Sequence, residues 1–311
     1  MKTIVTGATG FLGRALCSKL VTQKQSVIAL TRDPERAKKR LGAGVTCLAW
    51  EQDSDAWQDA LNGADTVFHL AGESVAAQRW TPDFKQSLLS SRVDVTHRLV
   101  DALCKATPRP RALISASAVG YYGDRSAEIL NEESLPGNDF LGTLCQQWEA
   151  EVLRAEACGI REVRVRLGIV LGDGGSLEKM LYPLPLPLSP WKMGLGGRLG
   201  SGKQWFPWIH VEDVVGMLLW SAENPNVRGA VNAVAPHPVT NADFTRALGR
   251  VLHRPALFPV PAFALRALLG EFAQVLLGGQ RVIPAVAQQL GYAFQYEDIE
   301  RALENVVKKK G

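Results

Sequence analysis

The sequence predicts an α/β protein, in which helices cover both faces of a doubly wound parallel sheet and a smaller, mostly helical region follows. Short apolar segments alternate with helix-length amphipathic segments through the first half of the chain, a pattern typical of βαβ units. Each short segment has four to six residues and is apolar almost throughout, as expected of strands that are buried on both faces. With 311 residues, of which 46% are hydrophobic, the chain is long enough to bury a sizeable core.

Six strands are predicted in the first half of the chain. They are Thr3–Thr6, Ser26–Thr31, Val45–Trp50, Thr66–Leu70, Ala112–Ser115 and Val163–Leu167. Four helices are predicted among them: Leu12–Val21, Asp33–Leu41, Asp83–Lys105 and Thr143–Cys158. Because successive strands are separated by helix-length segments, we expect them to lie parallel in one sheet.

The composition changes after Gly168. Four prolines between Tyr182 and Pro190 exclude a regular helix there, and the apolar residues between them predict a loop that covers a site rather than a free linker. Two more strands and five more helices are predicted further on: strands Trp208–Val211 and Gly229–Ala233, and helices Asp213–Ser221, Ala242–Leu252, Ala262–Leu277, Pro284–Leu290 and Tyr296–Val307. Asp213 is predicted to cap the helix that it opens.

Charge and composition argue against several classes of function. The 35 Lys and Arg residues against 31 Asp and Glu give a formal charge of +4, which is too mild to predict nucleic-acid binding. The sequence contains no run of about 18 uncharged apolar residues and no room for a signal peptide before the first strand, so we expect a cytoplasmic protein without a membrane partner. The five cysteines and five histidines show no metal-ligand spacing, and the simplest inference from the cysteines is a reducing compartment.

A glycine-rich turn joins the first strand to the first helix. Its sequence is TGATGFLG, residues 6–13. In a dinucleotide-binding turn, Gly7 permits the tight bend, Gly10 lets backbone amides approach a pyrophosphate, and Gly13 lets the helix lie close on the strand. The helix N-terminus then faces the anion, so nucleotide binding is predicted. The expected contacts are Gly7, Gly10, Phe11, Leu12 and Gly13.

The end of the second strand indicates which dinucleotide. An acidic residue is expected there if the cofactor ribose carries a free 2′-hydroxyl, whereas this strand ends in Thr31-Arg32. A planar guanidinium suits a 2′-phosphate, so Thr31 and Arg32 are predicted cofactor contacts and NADP is favoured over NAD. The alternative is that Arg32 is an ordinary surface charge or a partner of Asp33.

Further motifs extend over essentially the whole chain. They are His69-Leu70-Ala71-Gly72 after the fourth strand and WIHVED at residues 208–213. With the glycine-rich turn, they resemble the extended, epimerase-like branch of the short-chain dehydrogenase/reductase superfamily. Five more segments are similar to its small subfamily called epimerase family protein: LAGE (70–73), GYYGD (120–124), GLGG (194–197), GSGKQ (200–204) and GGQR (278–281).

The resemblance implies an NADP-binding Rossmann fold and no particular substrate. A Rossmann domain is expected at residues 1–172, with about 205–235 returning to it, and a substrate-binding or lid domain at 173–204 and 236–311. The loop after the fourth strand, Leu70 to Glu73, is expected to contact the cofactor, with Glu73 close to the nicotinamide ribose. Arg92 and Arg166 would suit an anionic substrate or a cofactor phosphate, and ion pairs with nearby acids are the alternative.

The superfamily's usual catalytic pair is missing from this sequence. The superfamily uses a Tyr-x-x-x-Lys pair on one helix face, in which the lysine lowers the pKa of the tyrosine. None of the five tyrosines has a lysine four residues later, and the resemblance aligns Leu141 and Cys145 with the two positions. Leu141 cannot transfer a proton. A buried small apolar residue is the first interpretation of Cys145, and an acid or redox-sensitive thiol is the alternative.

Three other residues are candidates for the chemistry. Ser117 follows the fifth strand, where a substrate carbonyl would be held, although it could equally cap a turn. Tyr121 and Tyr122 follow on the next loop and are either a substitute acid or an aromatic wall. The sequence is therefore consistent with an NADP-dependent oxidoreductase or epimerase for a small polar carbonyl or sugar-like substrate, in a possible homodimer. The alternative is a non-catalytic NADP(H)-binding redox sensor or interaction protein.

Overall fold

A seven-stranded parallel sheet organises the computed structural model, which describes residues 1–50, 56–175, 191 and 193–308. The strand order is β3-β2-β1-β4-β5-β7-β11, so the direction of winding reverses between β1 and β4. The seven strands are β1 Lys2–Thr6, β2 Ser26–Thr31, β3 Val45–Ala49, β4 Thr66–His69, β5 Ala112–Ala118, β7 Arg161–Leu167 and β11 Gly229–Ala233. The predicted doubly wound sheet is confirmed.

Helices cover both faces of the sheet. The described helices are α1 Phe11–Thr22, α2 Pro34–Leu41, α3 Ala56–Asp59, α4 Pro82–Ser90, α5 Val93–Lys105, α6 Phe140–Leu153, α7 Val211–Glu223, α8 Asn241–Leu252, α9 Ala262–Leu269, α10 Ala273–Leu277, α11 Ala285–Gln289 and α12 Ile299–Lys308. Leu16 of α1 and Leu218 of α7 belong to the core on one face. Leu99 of α5 and Val152 of α6 belong to the core on the other face. Ligands of such sheets bind where the strand order reverses, at the carboxyl ends of β1 and β4.

Three two-stranded ladders lie outside the main sheet. They pair β8 Ile169–Leu171 with β10 Trp208–His210, β9 Trp205–Phe206 with β12 Val239–Thr240, and β6 Ile129–Leu130 with β13 Arg281–Val282. Trp208 packs with α8 and α12 in a separate apolar cluster. The Rossmann prediction is confirmed, and so is a helical C-terminal portion, whereas the domain boundaries stay a prediction. The proline-rich segment from Tyr182 to Pro190 lies outside the described residues.

Several predicted bounds differ from the structure; the predicted helix from Ala262 to Leu277, for example, is two helices, α9 and α10. Two of the differences have identifiable reasons. The predicted helix from Asp83 to Lys105 is two helices, α4 and α5. Side-chain donors of Ser91 and Arg92 bind the carbonyl oxygen of Leu88, at 3.1 and 3.3 Å, and compete with the helical backbone for that acceptor. Strand β5 continues three residues beyond Ser115, because its backbone pairs there with β7.

Asp213 does not cap its own helix. The cap of α7 is His210, whose Nδ1 accepts from the amide of Glu212. The buried carboxylate of Asp213 accepts instead from the amides of Gln295 and Tyr296, at 2.7 and 3.0 Å. The capping prediction was therefore wrong, and Asp213 fixes the C-terminal segment to the sheet domain.

A disulfide joins Cys104, at the end of α5, to Cys158, before β7. The simplest inference from the sequence was a reducing compartment, and a spacing of 54 residues gave no sign of this pairing. Cys17, Cys47 and Cys145 are free. Within the described part of the chain, no helix is long and apolar enough to cross a bilayer, and no cluster of three or more His, Cys, Asp or Glu side chains is arranged to hold a metal ion.

Candidate cofactor and active site

The glycine-rich turn is packed too tightly for side chains. Gly7 has a φ of +66°, and a Cβ on it would lie 2.5 Å from the carbonyl oxygen of Leu70. A Cβ on Gly13 would lie 2.2 Å from the carbonyl oxygen of Gly7, so only glycine allows α1 to approach β1 this closely. Gly10 precedes α1 without any side-chain cap, and the first turn of the helix carries no acid. This is the arrangement that a pyrophosphate needs at a helix N-terminus.

The turn's other predicted residues, Phe11 and Leu12, form the start of α1. The ring of Phe11 packs beside the segment that follows β8, where a Cβ on Gly172 would lie 2.6 Å from its Cζ. The first turn of α1 is therefore held between the glycine-rich turn and the chain after β8.

The loop after β4 forms the second wall of this crevice. Leu70 and Ala71 are half-buried, and Gly72 and Glu73 are exposed. The amide of Leu70 donates to the carbonyl oxygen of Thr6 at 3.2 Å, which holds the loop against the end of β1. The residues predicted to contact a cofactor from β1 and from β4 therefore face one crevice.

Arg32 is exposed at the end of β2, and Thr31 is half-buried beside it. The neighbouring acid, Asp33, caps α2 by accepting from the amide of Arg36 at 2.9 Å. No ion pair of Arg32 is present among the described residues, so the alternative of a pairing with Asp33 is not what the structure shows. Within the described residues the guanidinium is exposed at the position expected for the adenosine ribose, which fits both a 2′-phosphate contact and an ordinary surface charge.

A buried ion pair lies below the end of β5. Ser117 is 2% exposed and donates to Oε1 of Glu149 at 2.6 Å. Arg166, 3% exposed, binds the same carboxylate with two parallel hydrogen bonds of 2.9 Å. Arg166 was predicted to meet a cofactor or substrate anion, but its guanidinium is occupied by Glu149, so the ion-pair alternative is the one observed. A planar guanidinium can donate two parallel hydrogen bonds to one carboxylate, which explains why the residue at this position is an arginine.

Tyr122 belongs to the same buried network. Its hydroxyl donates to Oδ1 of Asn232 at 2.7 Å and accepts from Nη1 of Arg166 at 2.9 Å. Its side chain is fully buried, and burial raises the pKa of the phenol to about 12. Tyr122 is thus a structural residue rather than an accessible acid. Tyr121 is half-buried, stacks on the Arg166 guanidinium at 3.5 Å, and its hydroxyl has no hydrogen bond within the described part of the chain.

The comparisons with known proteins agree with this geometry. The family model described as "NAD dependent epimerase/dehydratase family" matches residues 3–234. The chain belongs to that family. A second model, a domain of unknown function named DUF1731, matches residues 260–306, within the helical C-terminal portion.

Members of the family resemble the chain along its full length. An Arabidopsis thaliana protein named epimerase family protein SDR39U1 homolog, chloroplastic, is 38% identical over 99% of this chain and 87% of its own. The Bacillus subtilis epimerase family protein YfhF is 37% identical over 99% and 98%. The crystal structure of human epimerase family protein SDR39U1 with NADPH superposes with a TM-score of 0.88, at 35% identity and 99% coverage of both chains.

Positions 141 and 145, which the resemblance aligns with the superfamily's catalytic Tyr and Lys, lie in apolar surroundings in this chain. Leu141 packs with Phe84 and Leu88 in an apolar cluster and lies against Gly120. Cys145 is 3% exposed, and burial, with the nearby Glu149 carboxylate, raises the pKa of its thiol to about 12. The interpretation of Cys145 as a buried, neutral residue agrees with this environment.

Sequence reasoning missed Glu149 and Asn232. Glu149 is a lone acid on the buried face of α6, one helical turn after Cys145, and a buried acid requires a partner. That signal was readable in the sequence, whereas its partner Arg166 lies in another element. Asn232, in β11, gave no local signal, because its role depends on Tyr122, 110 residues earlier.

Proposed function

We propose that the protein is an NADP-dependent oxidoreductase or epimerase-like enzyme that acts on a small polar carbonyl or sugar-like substrate. The carrying observation is the end of β2, where Arg32 is exposed and without an ion pair among the described residues, while Asp33 is committed to capping α2. The glycine cradle fits a pyrophosphate, because Cβ atoms on Gly7 or Gly13 would fill it. The NADPH bound to the human relative supports the same cofactor.

The chain's own residues would divide the work as follows. Gly7 to Gly13 hold the pyrophosphate, the 70–73 loop lies against the nicotinamide half, and Arg32 binds the 2′-phosphate. When bound, the nicotinamide supplies or takes a hydride. Because Ser117 is 2% exposed and directs its proton at Glu149, its role in the proposed enzyme is to hold that carboxylate at the end of β5. Tyr121 is the accessible hydroxyl of the pair and the candidate proton donor.

Cofactor binding is tested by titrating the protein with NADPH and NADH and following the nicotinamide fluorescence. We expect NADPH to bind at least about tenfold more tightly, the discrimination expected of a charge-assisted contact to the 2′-phosphate. Arg32→Ala should remove most of that difference and leave NADH binding unchanged. Lys39→Ala, which removes an exposed charge from α2, is the control. Equal affinity of the wild type for both cofactors would refute the NADP assignment.

Turnover is tested separately, by incubating the protein and NADPH with a panel of small aldehydes, ketones and nucleotide sugars. Consumption of NADPH with any of them supports an enzyme. The absence of Tyr and Lys from positions 141 and 145 favours the second candidate, a non-catalytic NADP(H)-binding redox sensor or interaction protein. That candidate predicts tight NADPH binding with no consumption across the panel, and a thermal stability that differs between NADPH and NADP⁺.

The proposal extends to location and assembly. A cytoplasmic protein that forms a homodimer is expected. The three free thiols agree with a reducing compartment, whereas the Cys104–Cys158 disulfide opposes it. Acid quenching of the cells, followed by alkylation of free thiols under denaturing conditions and mass spectrometry, decides between five modified cysteines and three. Sedimentation of the purified protein distinguishes a monomer from a dimer.

A further inference from the structure

Arg92 lies directly behind the loop that forms one wall of the crevice. Its Nη2 donates to the carbonyl oxygen of Glu73 at 2.7 Å, and its Nη1 donates to that of Leu88 at 3.3 Å. A Cβ on Gly72 would lie 3.3 Å from the guanidinium carbon, so the absence of a side chain at Gly72 lets the charge approach the crevice. On the inner side, the guanidinium lies 5.3 Å from the ring centre of Trp148, in α6.

Arg92 makes no salt bridge to a carboxylate in the described part of the chain, although the Glu73 carboxylate interacts with it electrostatically. The side chain is half-buried. Its Nε, which would lie 3.5 Å from a Cβ on Gly72, donates to no acceptor in the described part of the chain. Arg166 differs from Arg92 in this respect, because the carboxylate of Glu149 forms a salt bridge with Arg166. A desolvated cation that makes no salt bridge among the described residues, next to a ligand crevice, has an N–H left to give to a ligand.

Cys145 lies three residues before Trp148 in α6, and both side chains belong to the buried face of that helix. Cys145 and Arg92 interact electrostatically, and the thiol of Cys145 also faces the backbone amide of Ala118 at the end of β5. Burial keeps the thiol protonated, so it contributes no charge. Helix α6 therefore presents a neutral group at the position where the resemblance expects lysine, and Arg92, at the start of α5, provides a cation that interacts with it electrostatically.

The position of Arg92 along the crevice indicates which half of the cofactor it faces. Arg32 lies at the end of β2, and the pyrophosphate cradle lies at the end of β1. A dinucleotide that spans the reversal of strand order must place its remaining half over the ends of β4 and β5. The loop after β4 lies beside Arg92, and the amide of Ala118, the last residue of β5, lies beside Cys145.

We propose that Arg92, which directly precedes α5, supplies the positive charge, and a hydrogen bond to the ribose hydroxyls, at the nicotinamide end of the cofactor site. A lysine at position 145 of α6 would otherwise supply them. This assignment rests on the proposed NADP binding. Compared with the usual arrangement, position 145 carries no cation in this chain, and position 92 carries one. Arg92 therefore gives a positive field at the reacting end of the site without the usual lysine.

Charge relocation tests the assignment with two ligands. NADPH contains the nicotinamide ribose, and adenosine 2′,5′-bisphosphate contains the adenosine half alone. The variants are Arg92→Asn, Arg92→Lys, Cys145→Lys and the double variant Arg92→Asn/Cys145→Lys. Lys105→Asn, which removes an exposed cation from the last turn of α5, is the matched control. Affinities come from fluorescence titration and calorimetry, and circular dichroism of the ligand-free proteins verifies folding.

We expect Arg92→Asn to weaken NADPH binding at least about tenfold, the loss of one charge-assisted hydrogen bond, and to leave the bisphosphate affinity unchanged. Arg92→Lys should keep most of the NADPH affinity, and the double variant should restore it to within about threefold, because both place a cation between α5 and α6.

Three results would overturn the assignment. The first is an equal loss of affinity for both ligands in Arg92→Asn, which indicates a collapsed loop. The second is unchanged NADPH binding in Arg92→Asn. The third is an Arg92→Lys variant that binds NADPH as weakly as Arg92→Asn does, a result that can be obtained even if the Cys145→Lys proteins do not fold. A wild type that binds neither ligand would instead refute the proposed NADP binding itself.

Discussion

Acidification should destabilise this protein through His69, at the end of β4. The ring is fully buried, with Nδ1 2.7 Å from the hydroxyl of Thr6 and Nε2 2.9 Å from that of Thr96. Burial lowers the pKa of His69 to about 4, from an ordinary value of 6.5. The folded protein therefore keeps His69 neutral at pH values at which the unfolded chain binds a proton.

The sign and size of the effect follow from this difference. As the pH falls from 6.5 toward 4, the unfolded state gains a proton that the folded state cannot bind, so the free energy of unfolding decreases. Between pH 7 and pH 5 the His69 contribution amounts to about 2 kcal/mol, at 1.36 kcal/mol per unit of pKa difference. Glu132, Glu162 and Asp213 act in the opposite direction, because burial raises the pKa of each carboxyl and favours its protonated form in the folded state.

A subtraction isolates His69 from these carboxyl groups. Urea unfolding of the wild type and of His69→Gln is measured at pH 5, 6 and 7, and the difference between the two proteins is plotted against pH. We expect the wild type to lose about 2 kcal/mol more than the variant between pH 7 and pH 5. His237→Gln, at an exposed histidine, is the control. A difference that stays constant across this range would refute the assignment of a buried, neutral His69.

Three further predictions concern the cofactor and active site. Gly13→Ala should abolish NADPH binding, measured by fluorescence titration, because its Cβ would overlap a backbone oxygen at 2.2 Å; retained affinity would contradict the cradle. Glu149→Gln should lower the free energy of unfolding in urea by about 3–5 kcal/mol, because the charge of Arg166 stays buried without its partner. Tyr121→Phe should reduce turnover of any substrate found and leave stability unchanged. Tyr122→Phe should lower the melting temperature, since it removes two buried hydrogen bonds. Unchanged turnover in Tyr121→Phe would exclude Tyr121 as the proton donor.

The strands of the sheet were predictable because they are buried on both faces. Segments such as Ser26–Thr31 are apolar almost throughout, and their predicted and observed bounds coincide. The end of β5 was not predictable, because Ser115 and Ser117 have the small polar side chains of a turn, and only pairing with a neighbouring strand keeps them extended. Local composition therefore identified elements whose burial is uniform and failed where tertiary pairing decides.

The candidate site likewise contains one part that the sequence predicted and another that it did not. The glycine-rich turn was readable, because the close approach of backbone to backbone permits no side chain and so leaves glycine in the sequence. The network below β5 was not readable. Ser117 and Glu149 are 32 residues apart, Glu149 and Arg166 are 17 apart, and each alone resembles an ordinary strand or helix residue. The disulfide was equally hidden, since a separation of 54 residues carries no information about proximity.

The placement of β11 at the edge of the sheet also has a consequence for how the protein folds. Its neighbour β7 ends at Leu167, and β11 begins only at Gly229. Until that distant segment docks, the backbone donors and acceptors along one side of β7 form an open edge that can pair with another chain. Closing the sheet therefore couples folding of the nucleotide-binding half to synthesis of the chain beyond residue 229. Before β11 docks, newly made chains therefore expose that edge of β7 to pairing with other chains.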